Sequence, residues 1–216
     1  MLEFASIAES ISIILACCAL IAGIGAWKRE FIGKRKIELA EETLSIFFEV
    51  QDAISYIRNP FSSSSEGSSR KKESHESPEE AQLLDRGYIV FERYEQRRDA
   101  FMRFNTVKYR FMAVFGKETE DIFSRTNKTL NSIFSAANIL SRHYWQRQGR
   151  TEMTKDEFQK HLEEMKKFEM IFWDHYDDND EVKSELAAVQ ARLDAVTRPC
   201  FEEPMKSFSI LTKKWL

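Results

Sequence analysis

The chain has 216 residues, and its 32 Lys and Arg nearly balance its 35 Asp and Glu, giving a formal net charge of −3. This balance removes the general electrostatic reason to expect a nucleic-acid partner, which a strongly basic composition would supply. Gly and Pro are scarce, at 7 and 4, whereas Phe is frequent, at 17, a pattern typical of long helices with aromatic contact faces.

The N-terminal segment is the most apolar part of the chain. Residues 11–27 carry no charge, and with the residues back to Phe4 they are long enough for a helix to cross a bilayer. The alternatives are a cleaved signal peptide and a lipoprotein signal ending at Cys17, but both need a basic n-region. Residues 1–10 contain no Lys or Arg. We therefore interpret residues 1–27 as an uncleaved transmembrane anchor.

Basic residues follow this anchor directly. Lys and Arg beside a span remain mostly on the cytoplasmic side, and Trp27 is a residue type suited to the membrane interface. We therefore predict a single-pass protein of the inner cell membrane, in contact with membrane lipid, with its N-terminus outside and residues 28–216 in the cytoplasm. The flanking basic residues are Lys28, Arg29, Lys34, Arg35 and Lys36.

The three cysteines agree with this compartment. Cys17 and Cys18 lie inside the predicted span, and Cys200 has no cysteine to pair with outside it. The sequence therefore offers no disulfide framework, as expected for a protein in a reducing environment.

Small residues recur along one face of the predicted anchor. Such faces let two membrane helices approach closely, which predicts self-association and a homo-oligomer, although alanine is common in spans for other reasons. The face includes Ala5 and Ala8, and the residues we assign to association and anchoring are Ser12, Ala16, Ala19, Gly23 and Trp27. Glu9 is read as a residue at the outer headgroup level.

The remaining chain is predicted to be all-α: an elongated, mainly antiparallel bundle of about four long helices plus a short C-terminal helix. The first helix continues from the anchor to about Arg58, with a possible kink at Gly33. Residues 61–77 are Ser-rich and nearly free of large apolar residues, so they are predicted to form a flexible loop. Phosphorylation of Ser68 or Ser69 beside the following basic residues is the alternative role for this loop.

The second helix is predicted to begin at Pro78, capped by Ser77, and to end near Phe115. Its apolar residues alternate at spacings of four and three, which favours bundle packing: Leu83, Val90, Tyr94, Phe101, Phe104, Phe111 and Phe115. Its basic residues are interleaved with acidic ones, and we interpret them as exposed intrahelical pairs rather than as an anion-binding face.

The third helix is predicted over about Glu118 to Gln148, and the fourth begins at a capping box on Thr154. Its core face is predicted to start at Phe158, and the acidic run 174–181 breaks or restarts it. Pro199 is predicted to end it. The tail beyond is expected to dock on the bundle, with a membrane-interfacial helix as the alternative.

Residues that could carry chemistry are sparse. Glu157, His161 and Glu164 share a helix face, but their spacing matches no paired metal motif, so we interpret them as a solvated charged face. The acidic run 174–181 lacks the central Gly of a calcium loop and is read as a solvated junction. No cofactor is predicted, and His143, His161 and His175 are the only candidates for an enzyme.

These patterns favour a membrane-anchored interaction or scaffold protein that self-associates and presents its bundle to a cytoplasmic protein partner. The alternative is a membrane-associated sensor or effector whose bundle responds to a ligand and acts through the transmembrane helix. An enzyme is the least favoured class, because no residue spacing specifies a reaction.

Overall fold

The computed structural model describes the backbone of residues 2–176 and 179–212 and the side chains of residues 12–176 and 179–202. The described chain is helical and contains no β-strand, as the sequence predicts. The five main helices are α1 (Leu2–Ile57), α2 (Pro78–Phe115), α3 (Glu120–Ile139), α4 (Lys155–Phe172) and α5 (Glu181–Thr212).

The chain divides into two compact units. One comprises Thr43–Val196, and the other comprises Met1–Glu42 with Thr197–Leu216. The sequence predicts a boundary at residue 27 between the membrane anchor and the rest of the chain. The division into compact units does not test that boundary, which stays a prediction.

The helix ends follow from local capping. The Ser77 hydroxyl accepts a hydrogen bond from the Glu80 N–H at 3.1 Å, and Pro78 occupies the first turn, where its missing N–H costs nothing. Thr154 forms a reciprocal capping box with Glu157 at the start of α4. Gly116 ends α2 with φ at 105°, a backbone conformation that other residues rarely adopt.

α1 is one continuous helix of 56 residues that includes Gly33, and a kink at Gly33 stays a prediction. The predicted end of the fourth helix is wrong. Pro199 does not end α5, which runs through it to Thr212, so the C-terminal segment is not a separate short helix. A proline inside a helix removes one hydrogen bond and favours a kink, but it does not require the helix to end.

The third helix is extended by an unusual segment. After Ile139 the chain forms a π-helical turn over Leu140–Tyr144, in which the Trp145 N–H donates to the carbonyl of Leu140. A short helical turn, Trp145–Arg147, completes it. The π turn lies against Gly87 of α2, where an added Cβ would meet the Ser141 Cβ at 2.5 Å. Glycine is therefore needed for α2 and the π turn to approach this closely.

Aromatic rings fill the core of the unit Thr43–Val196. Phe104 is fully buried, and its ring centroid lies 6.0 Å from that of Phe47 and 4.7 Å from that of Phe123, which joins α1, α2 and α3. Of the apolar stripe predicted for α2, the buried residues are Val90, Phe101, Phe104 and Phe111, and the partly exposed ones are Leu83, Tyr94 and Phe115. Phe158 does not face this core, because it is 41% exposed near the start of α4.

The segment 61–77 is a loop without helix, as predicted, and polar contacts tie it to α2. Arg70 donates to Glu76 at 2.5 and 2.7 Å and to Asp85 at 3.0 Å, and Glu92 accepts from the Gly67 N–H at 2.5 Å. The hydrogen bond from Arg70 lowers the pKa of Glu76 to about 2. The flexibility and modification of this loop stay predictions.

Candidate functional site

The small-residue face of α1 lies open. The residues from Ser12 to Ile24 are exposed, although they are almost entirely apolar. Ala16, Ala19, Gly23 and Trp27 line one continuous surface together with Leu20 and Ile24, and a Cβ added at Gly23 would meet nothing within 4 Å.

Within the described residues, α1 is the one helix long and apolar enough to cross a membrane. A signal sequence can satisfy the same criteria of length and composition, so anchoring and orientation remain proposals.

Two aromatic rings and a guanidinium group lie along one face of the basic flank, and we call them the Trp27–Phe31–Arg35 ladder. Trp27 stacks on Phe31 with ring centroids 5.8 Å apart, and the Arg35 guanidinium lies 5.7 Å above the Phe31 ring. These three residues are four positions apart along one helix face. Lys28, Arg29, Lys34, Arg35 and Lys36 are all exposed.

A buried ion pair joins three helix ends in the unit Thr43–Val196. Arg58, just after α1, donates to both carboxylate oxygens of Asp180, at 2.8 and 3.0 Å. The same guanidinium donates to the carbonyls of Met170, Ile171 and Trp173 at the end of α4, each at 2.8 Å. One Arg thus satisfies carbonyls that the end of a helix leaves without partners.

Asp180 in turn caps α5. Its Oδ1 accepts from the N–H groups of Val182 and Lys183 at 2.9 and 3.1 Å. Burial raises the pKa of the nearby Asp174, but the hydrogen bonds from Lys183 and the Tyr176 N–H, together with the positive charges of Lys183 and Arg58, outweigh this effect, and the net pKa is lowered. The expectation of a solvated junction over 174–181 is therefore wrong, since Asp174 and Asp180 are buried with partners; Asp177 and Asp178 lie outside the described residues.

A second buried arginine replaces the predicted surface pairs of α2. Arg93 is 2% exposed and donates to both carboxylate oxygens of Glu66, at 2.9 and 3.1 Å, and to the carbonyls of Asn59 and Phe61. Its hydrogen bonds lower the pKa of Glu66. The half-exposed Arg103 pairs with Glu49 and so links α2 to α1. Arg93 and Arg103 thus link α2 to other segments, whereas Arg98 forms an exposed intrahelical pair with Glu95, of the kind that the sequence predicts.

The strongest candidate for a ligand site is a cavity beside His161. The π turn of α3 brings Tyr144 against α4, where its ring centroid lies 5.2 Å from the His161 ring and its hydroxyl donates to Glu164 at 3.1 Å. His161 is 6% exposed, and its Nε2 has no hydrogen-bond partner among the described residues. Burial, together with the Glu164 carboxylate, raises the pKa of the Tyr144 hydroxyl.

This geometry corrects the expectation of a solvated face. Glu157 accepts from the Thr154 N–H and hydroxyl, both at 2.9 Å, so its carboxylate belongs to the helix cap. Glu164 is engaged by Tyr144, and His161 is buried rather than solvated. The sequence did place the three residues on one face of α4. It could not show that a π turn would bring an aromatic ring over them.

The other two candidate histidines lie in different surroundings. His143 lines the same cavity as His161, whereas His175 lies exposed, near the carbonyl of Glu169. Among the residues described, no group of three or more His, Cys, Asp or Glu is arranged to hold a metal ion.

Comparisons with protein-family models, with curated proteins and with solved structures each return no match for this chain.

Proposed function

We propose that the protein is a single-pass membrane-anchored interaction module that self-associates and presents its helical bundle to a protein partner in the cytoplasm. The supporting observation is the exposed apolar surface of α1 from Ser12 to Ile24, which contrasts with the mostly buried aromatic and aliphatic residues of the unit Thr43–Val196. Apolar area left in water costs about 25 cal/mol per Å², so a segment of this kind is expected to enter lipid or to meet another apolar surface.

The basic flank supports the cytoplasmic orientation. Five exposed cations follow the apolar segment within nine residues. In a membrane, the Trp27–Phe31–Arg35 ladder would put its aromatic rings between lipid tails and charged headgroups. A reporter enzyme that is active only outside the cytoplasm, fused after residue 216, should be inactive. Strong activity of that fusion would reverse the orientation.

Retention of the anchor is tested separately. The protein should stay in the membrane fraction after extraction with alkaline carbonate, and its intact mass should include residues 1–27. A mass that lacks these residues would identify a cleaved signal sequence and would reject the anchor.

Self-association is tested on the small-residue face. Ala19→Leu with Gly23→Leu should abolish dimers captured by amine-reactive crosslinking in native membranes, because bulky side chains keep the helices apart. Cys17→Leu with Gly25→Leu adds comparable bulk on the opposite face and should leave the dimers intact. Equal crosslinking in both double variants would remove this face from the proposal.

The sensor or effector function is the second candidate, and the cavity beside His161 is the observation that favours it. A bundle that only displays a surface has no need of a buried imidazole next to a cavity. Overexpression toxicity that disappears when residues 1–27 are deleted would favour this function over a passive scaffold.

A further inference from the structure

The basic flank of α1 has one face on which cations and exposed apolar side chains are mixed, and we propose that this face binds the phosphate groups of anionic phospholipids. This basic face consists of Lys28, Arg29, Phe31, Ile32, Arg35 and Lys36, all of which are exposed. The proposal rests on the proposed membrane anchor. It adds a preference for anionic over zwitterionic lipids, which an apolar anchor alone does not require.

The charges of this segment are sorted by helix face. At about 100° per residue, the four cations of the basic face fall within about 120° of the helix circumference. Glu30, the one acidic residue among residues 28–36, lies on the opposite face together with Lys34. The Lys34 amine also has the Glu38 carboxylate 4.0 Å away. The charge of Lys34 is thus partly offset, whereas the basic face contains no carboxylate.

The guanidinium groups of the basic face lean towards the apolar segment. In a helix the Cα–Cβ bond tilts towards the N-terminus, so a long side chain covers the turn before its own. The Arg29 Nη1 lies 3.5 Å from the position of a Cβ added at Gly25, and the Arg35 guanidinium lies 5.7 Å from the centre of the Phe31 ring. Each charge therefore lies about one turn closer to the apolar segment than its own Cα. Where the helix leaves a bilayer, this lean returns the cations to the level of the lipid phosphates.

The height of the basic face fits the charged layer of a membrane. For a helix along the membrane normal, residues 28–36 rise about 12 Å. The headgroup layer of one leaflet is about 5–7 Å thick, and its potential extends about 8 Å further at physiological ionic strength. The sign of the charge reverses only after this height, at Glu38, Glu41 and Glu42. The cations thus lie where an anionic surface attracts them, and the carboxylates lie where its repulsion is screened.

The apolar residues of the basic face distinguish a lipid from a free anion. Phe31 and Ile32 are 50% and 48% exposed, although they lie beyond the uncharged segment. Apolar side chains of this kind are stabilised when they enter the boundary between headgroups and acyl chains. A soluble phosphate would contact only the cations, whereas a phospholipid offers a phosphate to the cations and acyl chains to the two apolar residues.

The test places the full-length protein in lipid nanodiscs and measures the quenching of Trp27 fluorescence by brominated acyl chains. The discs contain phosphatidylglycerol and phosphatidylcholine in equal amounts, and only the brominated species is exchanged, so the surface charge is constant. The quenching that is lost in Trp27→Phe isolates this residue from the other three tryptophans. Phosphatidylglycerol should be enriched beside Trp27 at least about fivefold, which corresponds to the about 1 kcal/mol contributed by one cation near an anionic surface.

The two ways of failing are distinct. Equal quenching by the two brominated lipids would overturn the lipid preference and leave the anchor intact. Absence of quenching by either lipid would show that Trp27 does not reach the bilayer, and it would overturn the anchor together with the lipid preference.

Two single variants with the same change of charge identify the face. Arg35→Gln should lower the enrichment at least about twofold, because it removes a cation that no carboxylate offsets. Lys34→Gln is the matched control, one residue away and paired with Glu38, and it should leave the enrichment unchanged. Equal losses in the two variants would show attraction by net charge alone and would reject the basic face.

Salt gives an independent check on the same discs. Raising sodium chloride from about 0.1 to 1 M shortens the Debye length from about 10 to 3 Å, so the enrichment in the wild type should largely disappear. An enrichment that persists in high salt would contradict binding through charge.

Discussion

Arg58 and Asp180 are 122 positions apart in the sequence and form two hydrogen bonds to each other, with side chains 2% and 0% exposed. Removing one partner of a buried ion pair leaves an uncompensated charge, so Arg58→Met should lower the free energy of unfolding by about 3–5 kcal/mol. Denaturant titration of the full-length protein in a mild non-ionic detergent measures this loss.

The energetic coupling between Arg58 and Asp180 can be measured separately with a double variant. Asp180→Asn keeps an N-cap on α5, and combined with Arg58→Met it should cost less than the sum of the single variants, by about 1–3 kcal/mol. Arg103→Gln, which breaks a half-exposed pair with Glu49, should cost no more than about 1 kcal/mol. Additive costs for Arg58 and Asp180 would show that each acts alone.

Gly87→Ala should destabilise the bundle although alanine is the better helix former. The added Cβ would lie 2.5 Å from the Ser141 Cβ and 3.1 Å from the Ala137 carbonyl oxygen, so α2 and the π turn must separate, at about 1–3 kcal/mol. Gly33→Ala is the control, since nothing lies within 4 Å there, and it should be neutral or stabilising by up to about 1 kcal/mol. Thermal unfolding followed by circular dichroism distinguishes the two variants.

Glu76 should make the attachment of the loop 61–77 depend on pH. Its pKa is lowered from 4.5 to about 2 by the hydrogen bond from Arg70, so its contribution is complete above pH 4.5 and declines as the pH falls towards 2. The stability difference between wild type and Glu76→Gln should therefore be constant from pH 7 to 5 and shrink below that. A difference that grows as the pH falls would contradict the assigned ion pair.

Two phenylalanines with similar sequence patterns should respond differently to truncation. Phe104→Ala removes a fully buried ring between Phe47 and Phe123 and should cost about 3–5 kcal/mol. Phe158→Ala removes a ring that is 41% exposed and should cost much less. Comparable losses in the two variants would mean that Phe158 is buried in solution, for example against a second copy.

The regular parts of the fold could be predicted because they depend on local spacing. The capping residues Ser77 and Thr154 and the helix-ending Gly116 determine where helices begin and end. The spacing of apolar residues determines which face of each helix is buried. The bounds of α2, Pro78–Phe115, agree with the prediction to the residue.

The polar centres could not be predicted, because their partners are distant in the sequence. Arg93 reads as one of several basic residues on a charged helix until the carbonyls of Asn59 and Phe61 are placed around it. Its neighbours along the helix, Glu92 and Glu95, suggest a surface pair instead. The cavity beside His161 depends on the π turn after α3, and the sequence of this segment contains no pattern that predicts a π turn.

The pairing of Arg58 also has a consequence for the order in which the chain can fold as it is made. All four residues that this guanidinium contacts lie 112 to 122 positions later. At a synthesis rate of about 5–20 residues per second, Arg58 exists for about 6–24 s before Asp180 is added. Stripping its water before those partners arrive would be costly, so the end of α1 stays hydrated until α5 emerges. The buried contacts of Arg58 can therefore form only after the ribosome has added residue 180.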